Sequence, residues 1–257
     1  MMTLSAAKGV RDAIVEGSAM LRLPLTRSLL SMIKCGDGPR CKQDRCPVCT
    51  SKLTERLLAL HRSHAVLGQQ WQRSAFALRS YVRAAEDIRP IPIDNIKANI
   101  NVAIKSWEDA FQREDENDGK NFGCLAAFGL VEDTGSHDRR EKVVVVEFVF
   151  TDVDPINDFE IFETLRGRFG DEVVSVPLVE NDRYCIMPDQ GLLFGYTKRR
   201  LDQPERPMAI SNKRRLARIA SNYGDHPMQS RFLSGGLTTS EEGIVFDRTP
   251  FGFWLTY

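Results

Sequence analysis

The chain has 257 residues, 42% hydrophobic and 27% charged, and its 35 Lys and Arg balance its 35 Asp and Glu. That composition suits one large globular domain or two modest ones and excludes collagen-like, disordered and membrane-embedded classes. The longest apolar stretch, Val143 to Phe150, is strand-sized, and no apolar run followed by a small-residue cleavage site opens the chain, so a cytoplasmic protein with no membrane partner is expected.

Residues 1–34 mix small apolar and basic positions, and Pro24 interrupts any long helix there. Next comes the most informative stretch, Cys35-x5-Cys41-x4-Cys46-x2-Cys49, four cysteines within fifteen residues. Zinc takes four thiolates tetrahedrally, and the Cys46-Pro-Val-Cys49 pair supplies two from one tight turn. The Gly- and Pro-rich residues 36–40 let Cys35 and Cys41 fold back onto that pair. Such a polar segment builds no core alone, so structural Zn2+ is the expected organiser. Four thiolates leave no open position for catalysis. Thiolate ligands need a reducing compartment, and Cys124 and Cys185 read as buried thiols.

After the cysteines, Thr50 or Ser51 can cap a helix whose apolar positions Leu53, Leu57 and Leu60 continue through Trp71, Phe76 and Leu78 towards Val82, with a break near Gly68. His61 and His64 share a face of it, either as auxiliary ligands or as ordinary helix residues. Pro90 and Pro92 end that run. Asp94 then caps a helix carrying Ile96, Ile100, Ile104, Trp107 and Phe111 on one face. Residues 114–120 read as an acidic turn.

The period then changes. Phe122 to Val131 and Lys142 to Phe150 read as an antiparallel strand pair across a polar loop. Asn157 or Asp158 opens a helix with Phe159, Phe162, Leu165 and Phe169 inward. Val173 to Val179 is a third strand and Tyr184 to Met187 a fourth. Residues 191–201 suggest a short helix and Ser211 to Asn222 a basic one. The tail from Gly235 reads as a loop ending in the aromatic cluster Phe251, Phe253, Trp254 and Tyr257. The expected class is α+β: a basic, helical, zinc-stapled region over 1–90, followed over 91–257 by a small antiparallel sheet with flanking helices.

Charge is segregated along this order. Residues 1–90 carry 15 Lys and Arg against 7 Asp and Glu, residues 91–191 carry 10 against 22, and residues 192–257 carry 10 against 6. Basic ends around an acidic middle suggest a nucleic-acid surface, or else pairing between the segments. The candidate phosphate contacts are Arg40, Lys42 and Arg45 around the cysteines, then Lys198, Arg199 and Arg200, and then Lys213, Arg214, Arg215 and Arg218. The acidic middle could instead receive a basic protein partner.

The layout resembles plasmid and phage rolling-circle replication initiators. The residues that carry the resemblance are Arg40-Cys41 to Cys46-Pro47-Val48-Cys49 and Tyr196-Thr197-Lys198-Arg199. It implies a DNA partner, a nuclease domain whose sheet holds a divalent cation through two histidines, and Tyr196 as the nucleophile that attacks a DNA phosphate. Here the strand Val143 to Phe150 contains no histidine. Glu147, with Asp152 and Asp154, offers a carboxylate-only alternative for Mg2+ or Mn2+; the other reading is a strand residue followed by a turn. The expectation is therefore a zinc-containing nucleic-acid-binding protein without an intact nuclease site. The alternatives are a Tyr196-dependent nickase and a non-catalytic component of a mobile-element or defence complex.

Overall fold

The computed structural model describes residues 4–38, 40–43, 45–50, 71–113, 122–133, 141–151, 157–176, 208–225, 232–235, 237–240 and 243–246. The fold is α+β. Helices α1 (Leu4–Met20) and α2 (Arg27–Ile33) precede the cysteine segment. Strand β1 (Trp71–Ala84), helix α3 (Ile93–Phe111) and strands β2 (Gly123–Asp133) and β3 (Glu141–Thr151) follow. Then come α4 (Asp158–Phe169), β4 (Val173–Val176), α5 (Ile210–Asn222), β5 (Phe232–Gly235), β6 (Leu237–Ser240) and β7 (Gly243–Phe246).

Five strands form an antiparallel sheet in the order β4-β1-β3-β2-β5, and β6 pairs with β7. The expected β2–β3 pair is present, with Ala127 opposite Glu147 and Phe128 opposite Val146. Residues 71–84 correct the sequence reading, which extended a helix through them. They form β1, hydrogen-bonded to β3 on one side and β4 on the other. Phe76 and Leu78 lie in the main core, while Ala75 and Ala77 pack with Val143 and Val145 on the opposite face. With both faces buried, apolar residues are consecutive, and the two-residue alternation that marks a half-exposed strand disappears. The sheet thus takes a strand from before residue 90, across the expected regional boundary.

Helix α3 buries the predicted face, Ile96, Ile100, Ile104, Trp107 and Phe111. Its N-cap is Pro92, with Asp94 inside the first turn rather than capping it. Trp107 meets Phe148 and Phe150 edge-on at 5.2 and 5.6 Å, and its indole N–H donates to Thr164 Oγ1 of α4 at 3.0 Å. Asn157 caps α4 by accepting from the Glu160 amide at 2.9 Å. Leu165 and Phe169 are buried as expected, whereas Phe159, expected inward, is 69% exposed and Ile161 fills the core in its place. Two residues of helix rotate about 200°, so Phe159 and Ile161 face opposite ways. The tail from residue 235, expected as loop, contains the β6–β7 pair; its Thr, Ile and Val residues suit strands.

The end of α5 is tied to the sheet by buried polar groups. Tyr223, fully buried, accepts the Leu130 amide at 2.8 Å, beyond the part of β2 that pairs with β5. Asn222 donates to the carbonyls of Asp87 and Arg89 at 3.0 and 2.7 Å and accepts from the buried ammonium of Lys142. Asn222→Ala removes all three bonds, one of them to a buried charge, and is expected to cost about 2–4 kcal/mol in thermal or denaturant unfolding. Among the described residues, no helix is long and apolar enough to cross a membrane.

Candidate metal centre and basic surface

Helix α1 presents Ala7, Val10, Arg11, Ala13, Ile14, Gly17 and Ser18 on one buried stripe. It packs on α5, with Gly17 against the Lys213 carbonyl and Lys213 paired with Glu16. Helix α2, capped by Thr26, leads directly to Cys35, whose amide donates to the Met32 carbonyl at 2.9 Å. Gly36 lies at φ +97°, a turn that glycine adopts without strain. Residues 47–50 are helical, and the Thr50 amide donates to the Cys46 carbonyl at 2.9 Å. This local chain path folds Cys35 and Cys41 back onto Cys46 and Cys49.

All four Sγ atoms lie within 4.8 Å of one another, with Cys49 3.5 Å from Cys35 and 3.7 Å from Cys41. A tetrahedral metal with thiolates at ~2.3 Å requires sulfur separations of about 3.8 Å. Disulfides require ~2.05 Å, and the four thiols are free. Cys35, Cys46 and Cys49 are buried and Cys41 is half-buried. Hydrogen bonding led by Cys41 pushes the Cys35 thiol down, and hydrogen bonding to Cys35 pushes the Cys46 thiol up. Four sulfurs this close therefore cannot all ionise without a cation among them. The group can hold one metal ion, and its spacing is too tight for a multi-iron cluster. It is the one such group among the described residues.

Two buried arginines flank the centre. Arg11 donates to the Cys35 carbonyl and pairs with Asp12 at 2.8 Å and Asp37 at 3.2 Å; Asp37 also pairs with Lys8. Burial opposes the Arg11 charge, but its two carboxylates outweigh that and hold its pKa up. Arg45 pairs with Asp225 and donates to Thr26 Oγ1. Thr26 and Ser28 also donate to Asp225. Burial opposes ionisation of Asp225, but the Ser28 and Thr26 hydroxyls and the Arg45 charge hold its carboxyl below the usual range.

Arg45 therefore corrects the sequence reading of an exposed phosphate contact. Its side chain is 7% exposed, because Asp225 and Thr26 hold it inward. Lys213 also turns inward, to Glu16. Arg40, Lys42 and Arg214 are exposed, and Arg215 and Arg218 are half-buried on the outer side of α5. Glu147 is 3% exposed, in the central strand between Ala75 and Ala127. Tyr196, Lys198, Arg199, Arg200, Asp152, Asp154, His61, His64, Cys185, residues 114–120, the strands and helix expected over 184–201 and the terminal aromatic cluster lie outside the described residues. The sequence reading missed Arg11, although it falls on the buried stripe of α1 at helical spacing from Ala7, Ile14 and Ser18.

No protein-family model matches the chain, and comparisons with curated proteins and with solved structures found no match.

Proposed function

We propose that the chain is a zinc-containing nucleic-acid-binding protein that grips DNA with α2, the cysteine segment and α5, akin to a replication initiator without an intact nuclease metal site. One observation carries this reading. In α1, α2, the cysteine segment and α5, every described acid is engaged from within: Asp12, Glu16, Asp37 and Asp225 take up Arg11, Lys213, Lys8 and Arg45. Among the described residues, internal pairing therefore leaves cations of these elements over. Arg22, Arg27, Lys34, Lys42, Arg214 and Arg218 remain with no ion pair among the described residues. Arg214 and Arg218 stand one turn apart on α5. Arg27, exposed, lies between Thr26 and Ser28, both bonded to Asp225 just past α5. Lys34 and Lys42 adjoin Cys35 and Cys41.

Zinc is the proposed metal because four thiolates at tetrahedral spacing suit a closed structural site. Such a site would fix the neighbouring cations at low entropic cost.

Fluorescence anisotropy with labelled single-stranded and duplex DNA across a salt series tests the reading. Affinity is expected to fall steeply with salt, because phosphate contacts release condensed counterions. Arg214→Glu with Arg218→Glu should weaken binding at least about tenfold and flatten the log–log salt slope for duplex DNA by at least about 1.8, near 0.9 per lost contact. No binding even at low salt overturns the proposal and turns the search to a protein partner.

A further inference from the structure

We propose that metal occupancy of the cysteine centre and the anchoring of α5 are coupled through Arg45 and Asp225, so that the metal controls the basic helix; only the consequence for nucleic acid rests on the function proposed above. Arg45 immediately precedes Cys46 and is buried. Its terminal nitrogen serves Asp225 and Thr26, whereas its Nε is buried with no hydrogen-bond partner among the described residues. A divalent ion with four thiolates carries two net negative charges. Arg45 is thus a buried cation, with an N–H unused among the described residues, beside a centre that becomes anionic when it fills. Metal ligands commonly depend on such outer donors for orientation and affinity.

The same side chain reaches far beyond the centre. Asp225 directly follows Gly224 at the end of α5, and Thr26 caps α2. The bonds Arg45–Asp225, Arg45–Thr26, Thr26–Asp225 and Ser28–Asp225 therefore join three segments distant in sequence. The opposite end of α5 is held independently, by Lys213–Glu16 and by the contact with Gly17. Emptying the centre frees the loop that carries Arg45 and withdraws its bonds to Asp225 and Thr26; Asn222 and Tyr223 keep their own bonds to the sheet, so what loosens is the turn at Asp225 and its tie to α2. Arg218 and Arg27 lie towards that end, so their relative placement depends on the metal. Linkage makes the effect reciprocal: whatever binds Arg218 and Arg27 as so placed tightens the metal by the same factor.

The test uses the full chain loaded with Co2+, whose thiolate absorption reports the centre, in competition with a chelator. Arg45→Met is expected to lower Co2+ affinity about 10–100-fold and to shift the thiolate charge-transfer band, while Arg45→Lys recovers most of the affinity. Asp225→Asn, which touches no sulfur, is expected to lower Co2+ affinity several-fold. Metal loading should slow amide exchange over residues 219–225 in the parent protein but not in Asp225→Asn. Parent-like Co2+ affinity in Asp225→Asn, with exchange at 219–225 indifferent to metal, overturns the coupling. A labelled single-stranded oligonucleotide supplies the last arm: the parent should bind it more tightly with metal than without, and Asp225→Asn equally in both states. If no form binds it while the Co2+ and exchange results hold, the coupling stands and the nucleic-acid reading falls.

Discussion

Stripping the metal from the cysteine centre, or replacing Cys46 by serine, is expected to lower the thermal midpoint by more than about 10 °C. Among the described residues, the backbone bonds of segment 35–50 include Cys35 to Met32, Asp37 to Lys34, Cys46 to Gln43 and Thr50 to Cys46. Cys35, Cys46, Val48 and Cys49 are at most 2% exposed and share one core with Ala7, Val10 and Ile14 of α1 and Leu29 and Met32 of α2. Without an ion, four polarizable sulfurs must share protons in that core. Structural zinc contributes about 10–16 kcal/mol of apparent binding free energy in small peptides, comparable with the ~5–15 kcal/mol stability of a whole domain. Calorimetry of loaded and chelated protein, beside a metal assay, measures the effect. Cys124→Ser is the control, since Cys124 is buried outside the centre and should leave metal content unchanged. Acid should act in the same direction. Thiolates reprotonate, and Asp225, whose folded pKa is depressed, contributes stability that is present above its unfolded pKa of about 3.9 and is lost as pH falls through the lower folded value. An unchanged melting curve in protein proven metal-free would remove the metal from the folding argument.

What the sequence revealed depended on how local the physics was. The cysteine centre was legible because all four ligands lie in fifteen residues and their spacing is itself the chemistry. The α3 face was legible because a helix repeats its environment every turn, and the α4 cap was narrowed to Asn157 or Asp158 because both are capping residues. β1 was hidden because burial on both faces removes its alternation; Phe76 and Leu78, two residues apart, share a face only in a strand. Arg45 was misread for a different reason. A basic residue in a polar loop looks solvated until its acid is known, and that acid is Asp225, 180 positions away. Lys142 is similar: its partner Asn222 lies 80 residues on. Charge totals had the same weakness, since they could not say which cations were already paired. The structure separates Lys8, Arg11, Arg45 and Lys213, which serve the fold, from the cations left on the outside.

Gly17→Ala is expected to be among the most damaging single-methyl additions to this chain. A Cβ at Gly17 would lie 2.1 Å from the Lys213 carbonyl oxygen, 2.5 Å from its carbon and 3.1 Å from Ala217 Cβ. The obstruction is helix backbone, which cannot rotate aside as a side chain can, so α1 and α5 must move apart. Separation loosens a crossing at which Ala13 and Ile14 of α1 and Leu216, Ala217 and Ala220 of α5 are all at most 3% exposed. Overpacking costs about 1–3 kcal/mol and occasionally more. A backbone obstacle at a small-residue crossing puts Gly17 at or above the upper end. In an isolated helix alanine would instead gain nearly 1 kcal/mol over glycine, so intrinsic propensity predicts the opposite sign. Gly9, in the same helix, separates the two effects, because a Cβ there meets nothing within 4 Å and the residue is exposed. Gly9→Ala should raise the thermal midpoint by about 1–4 °C, whereas Gly17→Ala should lower it by about 6–12 °C. Lys213 adjoins the obstruction and Arg214 is the next residue, so on the proposed function Gly17→Ala should also weaken DNA binding while leaving the cysteine centre able to hold metal. Equal melting temperatures for the two variants would mean that α1 and α5 do not cross at Gly17.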